Sequence, residues 1–229
     1  MPSQDELKQA AAAEAVAMVN PGMVLGLGAG STSLWALRLL AARIAAGELP
    51  GVRGVPCADD IAEAARELSV PLTTLEDDPV LDLTIDGADE VDAGLNLIKG
   101  GGGALLREKI VAQASRREVI IVDQSKLSQR LGEKWAVPVE VLPFGWRSAG
   151  LHLEGLGARV VRRGGEEPFV TDQGNYILDC HFGPLDDPGA LGRAIRDKAG
   201  VIEHGLFVGL ADQVIVASPR GVRRIGRAG

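Results

Sequence analysis

Cysteine and aromatic side chains are scarce in this chain. Two cysteines, Cys57 and Cys180, stand among 229 residues, and their separation matches neither a zinc-ligand spacing nor a disulfide framework. A small stapled secreted domain is thereby excluded, and a reducing, cytoplasmic setting is the expectation. Phe, Trp and Tyr together make up only 3% of the residues. The core must then be packed by Ala, Leu, Val and Ile, which suits a layered α/β protein better than an aromatic-rich sandwich. Histidine is equally sparse, and His152, His181 and His204 all lie in the second half. No segment approaches the roughly 18 uninterrupted apolar residues that begin to suggest a membrane span, and the N-terminus, MPSQDELKQ, is acidic where a secretory signal starts basic. Positive charge is also short. With 24 Lys and Arg against 31 Asp and Glu the formal net charge is −7, so neither a nucleic-acid nor a membrane partner is expected, because phosphate backbones demand a basic face. The one basic stretch, Arg220 to Arg227, reads as a solvated tail or one neutralised by acidic neighbours.

What is abundant is apolar sequence, 46% of the chain, arranged as short runs separated by glycine turns and amphipathic stretches. Ser3 and Glu6 have capping-box spacing ahead of a helix whose Leu7, Ala11 and Ala15 share one face. Met23–Leu27, Val52–Pro56, Leu72–Leu75, Leu81–Ile85 and Glu118–Val122 read as buried strands. They alternate with helices after Gly30, from Asp59 and from Leu105. From Val137 the rhythm changes to strand, helix, strand, strand, helix, strand, ending at Val201–Glu203, while Leu206–Leu210 and Val214–Ala217 look like a return to the first sheet. The predicted fold is α/β: an open, mostly parallel, Rossmann-like sheet with helices on both faces, plus an inserted small α+β domain of ferredoxin-like type. The predicted domain division is 1–130 with 206–229, and 131–205.

Three segments carry chemistry. Gly28-Ala29-Gly30-Ser31-Thr32 joins a strand to a helix. Its glycines let the backbone approach an anion, and the helix start offers free N–H groups that the Ser31 and Thr32 hydroxyls extend. It lacks the Lys of a Walker loop and the third Gly of the dinucleotide fingerprint, which disfavours a nucleotide; a tight turn with no ligand is the plain alternative. Asp86-Gly87-Ala88-Asp89-Glu90 follows a strand end, where open α/β sheets place their ligands. Small residues between two aspartates let both carboxylates fold toward sugar hydroxyls, and a polar turn is the alternative. Lys99, Gly100, Gly101, Gly102 and Gly103 then lead into a helix bearing Glu108. A lysine with backbone donors can stabilise an oxygen that becomes negative while a carboxylate takes a proton from carbon, and enolisation needs both. Standing alone, Glu108 would read as a solvated helix carboxylate. Lys126, in Asp123-Gln124-Ser125-Lys126, adds a cation at another strand end, where the alternative is a surface loop.

The stretches GLGAGST, DGADEVD, KGGGGALLREKI, VDQSK and PVEVLPFG, in this order and spacing, resemble the ribose-5-phosphate isomerase family of the A type, over nearly the whole chain. The resemblance implies Glu108 as general base. It implies Asp86, Gly87, Ala88, Asp89, Lys99, Gly100, Gly101 and Gly102 around the sugar, with Asp86, Asp89 and Lys99 taking part in catalysis. Ala29, Gly30, Ser31, Thr32 and Lys126 complete the binding site, and Lys8 on the first helix looks like a further phosphate contact. It also implies no metal or organic cofactor, and a homodimer or larger homo-oligomer. Two positions depart from the pattern. Ala29 stands where Thr is usual, a lost hydroxyl worth about 0.5–1.5 kcal/mol, and Pro56-Cys57-Ala58-Asp59-Asp60 replaces a Ser/Thr-rich segment with acids that would repel phosphate.

The expected function is interconversion of D-ribose 5-phosphate and D-ribulose 5-phosphate through an enediolate. A non-catalytic sugar-phosphate sensor is the alternative, although the chain has no helix-turn-helix to read DNA. An NAD-dependent oxidoreductase built on GLGAG lacks the acidic partner at the next strand end.

Overall fold

The computed structural model describes residues 2–226. In chain order the elements are α1 (Gln4–Val16), β1 (Val24–Leu27), α2 (Gly30–Ala45), β2 (Arg53–Pro56), α3 (Asp59–Glu67) and β3 (Leu83–Asp86), then β4 (Glu90–Val91), β5 (Leu97–Ile98), α4 (Leu105–Ala114) and β6 (Glu118–Asp123). There follow β7 (Val137–Val141), α5 (Trp146–Gly155), β8 (Arg159–Arg162), β9 (Tyr176–His181), α6 (Pro188–Arg196), β10 (Val201–His204), β11 (Leu206–Phe207), β12 (Gln213–Ser218) and β13 (Gly221–Gly226). Two compact units form, one from residues 1–88, 107–126 and 210–229 and the other from 89–106 and 127–209. These groupings differ from the division expected from the sequence in where they put 89–106, 127–130 and 206–209.

The first unit is a six-stranded sheet in the order β13-β12-β6-β3-β1-β2. All pairs are parallel except β12 with β13. β1 and β6 are buried along their whole length, as expected of strands covered on both faces. Leu25 and Leu27 of β1 line one face with Val16, Leu37 and Leu40 of α1 and α2, while Val24 and Val55 meet Val111 of α4 on the other. The capping box at α1 forms as the sequence predicts: Ser3 Oγ accepts the Glu6 N–H, and the Glu6 carboxylate accepts the Ser3 N–H.

The second unit holds a four-stranded antiparallel sheet, β10-β7-β9-β8, with α5 and α6 in its β-α-β-β-α-β connectivity. That is the predicted ferredoxin-like arrangement. Its core joins Val139 and Val141 of β7 to Leu153 of α5, Leu178 of β9 and Ile195 of α6. A separate three-stranded sheet, β11-β5-β4, belongs to the same unit.

Several elements differ from the sequence reading. Leu72–Leu75 makes only a single parallel bridge, Leu72 to Gly54, because its neighbours turn away into a loop. β11 pairs with β5 and not with the large sheet, and β12 alone makes the return, beside β6. The basic stretch from Arg220 is no solvated tail, since 221–226 is the antiparallel edge strand β13, but neutralisation by an acidic neighbour holds at Arg224, which pairs with Glu14 of α1. Arg227 lies outside the described residues. Exposed arginines on an edge strand oppose further pairing. Neither cysteine forms a disulfide, and both are fully buried. No helix among the described residues is long and apolar enough to cross a membrane.

Candidate active site

The strand order reverses at β1. Its neighbour on one side is the next strand in sequence, β2, and on the other β3, so the crevice rule points to the C-terminal ends of β1 and β3. Those ends carry Gly28 and Asp86. Asp86 is wholly buried, and its Oδ1 accepts the Ala29 N–H at 3.0 Å, the Ser33 hydroxyl at 3.1 Å and the Gly87 N–H at 2.7 Å. One carboxylate thereby ties the glycine turn, the first turn of α2 and its own following loop together. Gly28 is required here, since a Cβ on it would sit 2.2 Å from Asp86 Oδ1 and 2.5 Å from Asp86 Cα.

α2 starts at Gly30, whose φ of +85° suits glycine, and its Ncap, Ala29, has no side-chain cap. The N–H groups of Gly30, Ser31 and Thr32 therefore have no intrahelical acceptor and lie at the positive end of the helix dipole. Gly30 and Ser31 are exposed and Thr32 half-buried. The departure at Ala29 leaves the turn's backbone intact, because its link to Asp86 runs through the main chain. The other departure is partly offset: Asp59 pairs with Arg107 at 2.6 Å, so its charge does not stand alone.

Glu108 lies in the first turns of α4 and is 6% exposed, so the reading of a solvated helix carboxylate is excluded. Asp123 closes β6 and accepts the Ser125 N–H at 2.8 Å, shaping the 3-10 turn Gln124–Lys126. Burial raises its pKa, but hydrogen bonds from Ser125 and Gln4 and the Lys126 charge outweigh it, and the carboxyl sits below its ordinary range. Lys8 of α1 pairs with Asp5 at 3.6 Å.

The second unit carries the other candidates. Asp89 accepts the Gly101 N–H at 2.7 Å on Oδ2, and a Cβ on Gly101 would lie 2.6 Å from that carboxylate. Lys99 is 2% exposed. Its N–H donates to Gly205 O at 2.9 Å, and its ammonium lies 5.4 Å from the centre of the Phe207 ring, a cation–π contact. Gly101 and Gly102 are exposed. Glu90 and Asp92, charged neighbours in the same motif, are structural. Glu90 is wholly buried and accepts the N–H groups of Gly132, Lys134 and Trp135, while Asp92 closes a turn on Asn96.

Within the first unit the structure thus brings Asp86 to Ala29 and Gly87, and within the second it brings Asp89 to Gly101. Ser33 escaped the sequence reading although it continues the Ser31-Thr32 run. Phe207 and Arg163 carried no local signal. A cavity of about 820 Å³ beside β2 holds none of the candidate residues; two of its guanidinium groups, Arg53 and Arg107, are committed to Asp78 and Asp59.

A helix N-terminus held by a buried aspartate at the switch point of a mostly parallel sheet is the arrangement in which α/β proteins receive anionic small molecules. Comparison with known proteins narrows the class. Residues 53–221 match the family model described as ribose 5-phosphate isomerase A (phosphoriboisomerase A). The ribose-5-phosphate isomerase A of Chloroflexus aurantiacus is 56% identical over 225 residues, 97% of this chain and 94% of that protein. Its counterpart in Desulfatibacillum aliphaticivorans is 50% identical over the full length of both. Among solved structures, a D-ribose-5-phosphate isomerase in complex with phospho-erythronic acid superposes with a TM-score of 0.96 at 37% identity, covering 99% of this chain and all of that one. The ribose 5-phosphate isomerase A of Methanocaldococcus jannaschii gives 0.93 at 41% identity, covering 98% and 100%. The chain belongs to the ribose 5-phosphate isomerase A family.

Proposed function

We propose that this protein catalyses the reversible conversion of D-ribose 5-phosphate to D-ribulose 5-phosphate, the isomerisation of the non-oxidative pentose phosphate pathway. The observation that carries the reading is the α2 start locked by Asp86 at the sheet's switch point, a cradle suited to a phosphate monoester. The solved relative's ligand, phospho-erythronic acid, joins a phosphate to a carboxylate, and a carboxylate imitates the planar, negatively charged end of an enediolate.

In this mechanism Gly30, Ser31 and Thr32 hold the phosphate, and Lys126 adds positive charge. Asp86 and Asp89 orient the sugar hydroxyls, and one of them assists ring opening. Glu108 removes the proton from C2 of the open-chain aldose while the carbonyl oxygen on C1 becomes negative. Lys99 and the Gly102 N–H stabilise that oxygen, while the Gly101 N–H holds Asp89. The proton on Glu108 then returns to C1, and the hydroxyl proton passes from O2 to O1, leaving the ketone at C2. General-base action supplies roughly 10²–10⁴-fold, and one oxyanion donor about 10²–10³-fold.

The same reading gives an enzyme of the cytoplasm that works as a homodimer or larger homo-oligomer, with domains 1–130 plus 206–229 and 131–205. The deciding assay incubates purified protein with D-ribose 5-phosphate and follows ketose formation. Saturable production of ribulose 5-phosphate is expected; binding of the sugar phosphate with no ketose formed overturns the reading.

A further inference from the structure

Beside the glycine loop of the second unit lies an arginine that the mechanism above does not use. Arg163 follows β8. Its Nη1 donates to the carbonyls of both Gly100 and Gly101 at 3.0 Å. The rest of the guanidinium is locked by a two-point ion pair with Asp179 of β9, Nε to Oδ2 at 3.0 Å and Nη2 to Oδ1 at 2.6 Å. The pair is largely shielded, with side-chain exposures of 18% and 24%.

The consequence follows from peptide geometry. In a trans peptide the C=O and N–H point in opposite directions, so a single nitrogen gathering two consecutive carbonyls on one side turns the N–H groups of Gly101 and Gly102 to the other. The Gly101 N–H does reach Asp89. The positive charge at the carbonyl ends also polarises both peptides and makes their N–H groups better donors. A second grip lies one residue on. Phe169, whose N–H donates to the Arg163 carbonyl at 3.0 Å, lays its ring against Gly103, where an added Cβ would come within 2.4 Å of Phe169 Cζ. The guanidinium carbon lies 5.7 Å from the centre of that ring. Only Arg offers a planar fork that can satisfy a carboxylate at two points and still donate to two carbonyls; Lys cannot.

We infer that Arg163, fixed by Asp179, is a positioning residue that sets the peptide planes of the Gly100–Gly102 loop so that the Gly101 N–H holds Asp89 and the Gly102 N–H serves the oxygen that turns negative during isomerisation. The inference rests on the proposed isomerase function for its catalytic meaning, and on the two carbonyl contacts for its structural meaning.

The test uses the full chain as R163M, R163K and D179N. Because the phosphate grip lies elsewhere, R163M lowers kcat about 10–100-fold, the scale of a roughly 1 Å misplacement at a reacting centre, with KM changed less than about threefold. R163K restores part of kcat, and D179N loses less than R163M. In parallel, hydrogen exchange at the Gly101 amide, followed in glycine-labelled protein, speeds up at least about tenfold in R163M at equal global stability. An unchanged kcat, a KM rise matching the kcat loss, or unchanged Gly101 exchange overturns the inference. If R163M does not fold, the same kinetic and exchange measurements on R163K and D179N decide it, and the same three results overturn it. If the wild-type chain forms no ketose, the isomerase reading falls separately, and the exchange arm still decides whether Arg163 holds the loop.

Discussion

Ser33 and Asp86, 53 positions apart in the chain, are joined by a 3.1 Å hydrogen bond in which the Ser33 hydroxyl donates to Oδ1 of the buried carboxylate. The first turn of α2 is thus pinned to the end of the central strand β3, and the height of the α2 N–H groups above the sheet depends on it.

Removing that hydroxyl in Ser33→Ala leaves the Ala29 and Gly87 N–H groups donating to Oδ1. The variant should lose about 1 kcal/mol of stability, read from denaturant unfolding, and show a raised KM for ribose 5-phosphate with kcat nearly kept. An unchanged KM would detach Ser33 from the phosphate turn.

Glu108→Gln keeps the size of the side chain and removes the base. It should bind sugar phosphate with affinity close to wild type, lose kcat by at least about 10²-fold, and stop incorporating solvent deuterium at the transferred carbon. Near-normal incorporation would take Glu108 out of the proton-transfer role.

The ion pair of Arg53 with Asp78, reinforced by the Thr73 hydroxyl, holds the Asp78 carboxyl down at about 2 from its usual 3.8. A depressed carboxylate stabilises the fold above its unfolded pKa and ceases to do so as pH falls through the folded value. Asp78→Asn should therefore be less stable than wild type at pH 5, with the difference shrinking between about pH 4 and pH 2. A gap that stays constant across that window in acid titrations of the two proteins would contradict the assignment.

Metal independence follows from assigning charge stabilisation to Lys99 and the Gly102 N–H. Isomerase activity should survive overnight dialysis against EDTA unchanged within error, and recovery of lost activity on adding Mg²⁺, Mn²⁺ or Zn²⁺ would demand a different account of the oxyanion.

Part of this architecture is legible locally. The glycine turn between β1 and α2, the capping box at Ser3 and the apolar run 119–122 within β6 each announce themselves within ten residues, because turn chemistry and hydrophobic period are local properties. The two-residue strands β4, β5 and β11 are too short for any period to show, and β5 finds β11 more than a hundred residues later. The Arg163–Asp179 pair and the carbonyls of Gly100 and Gly101 come from three separate stretches of chain. Glu90 and Glu108 look alike in sequence. One holds a loop through its backbone N–H groups and the other is the candidate base, a difference set by what the fold brings beside each.

From its sequence alone this chain is an α/β protein with a smaller α+β unit and a glycine turn between its first strand and the following helix, since periodicity, glycine placement and motif order are written along it. Only the tertiary structure decides that Asp86 gathers Ala29, Ser33 and Gly87, that Glu108 is buried and that Arg163 meets the carbonyls of Gly100 and Gly101. Burial and hydrogen-bond partnership are relations between distant segments, created when the strands align.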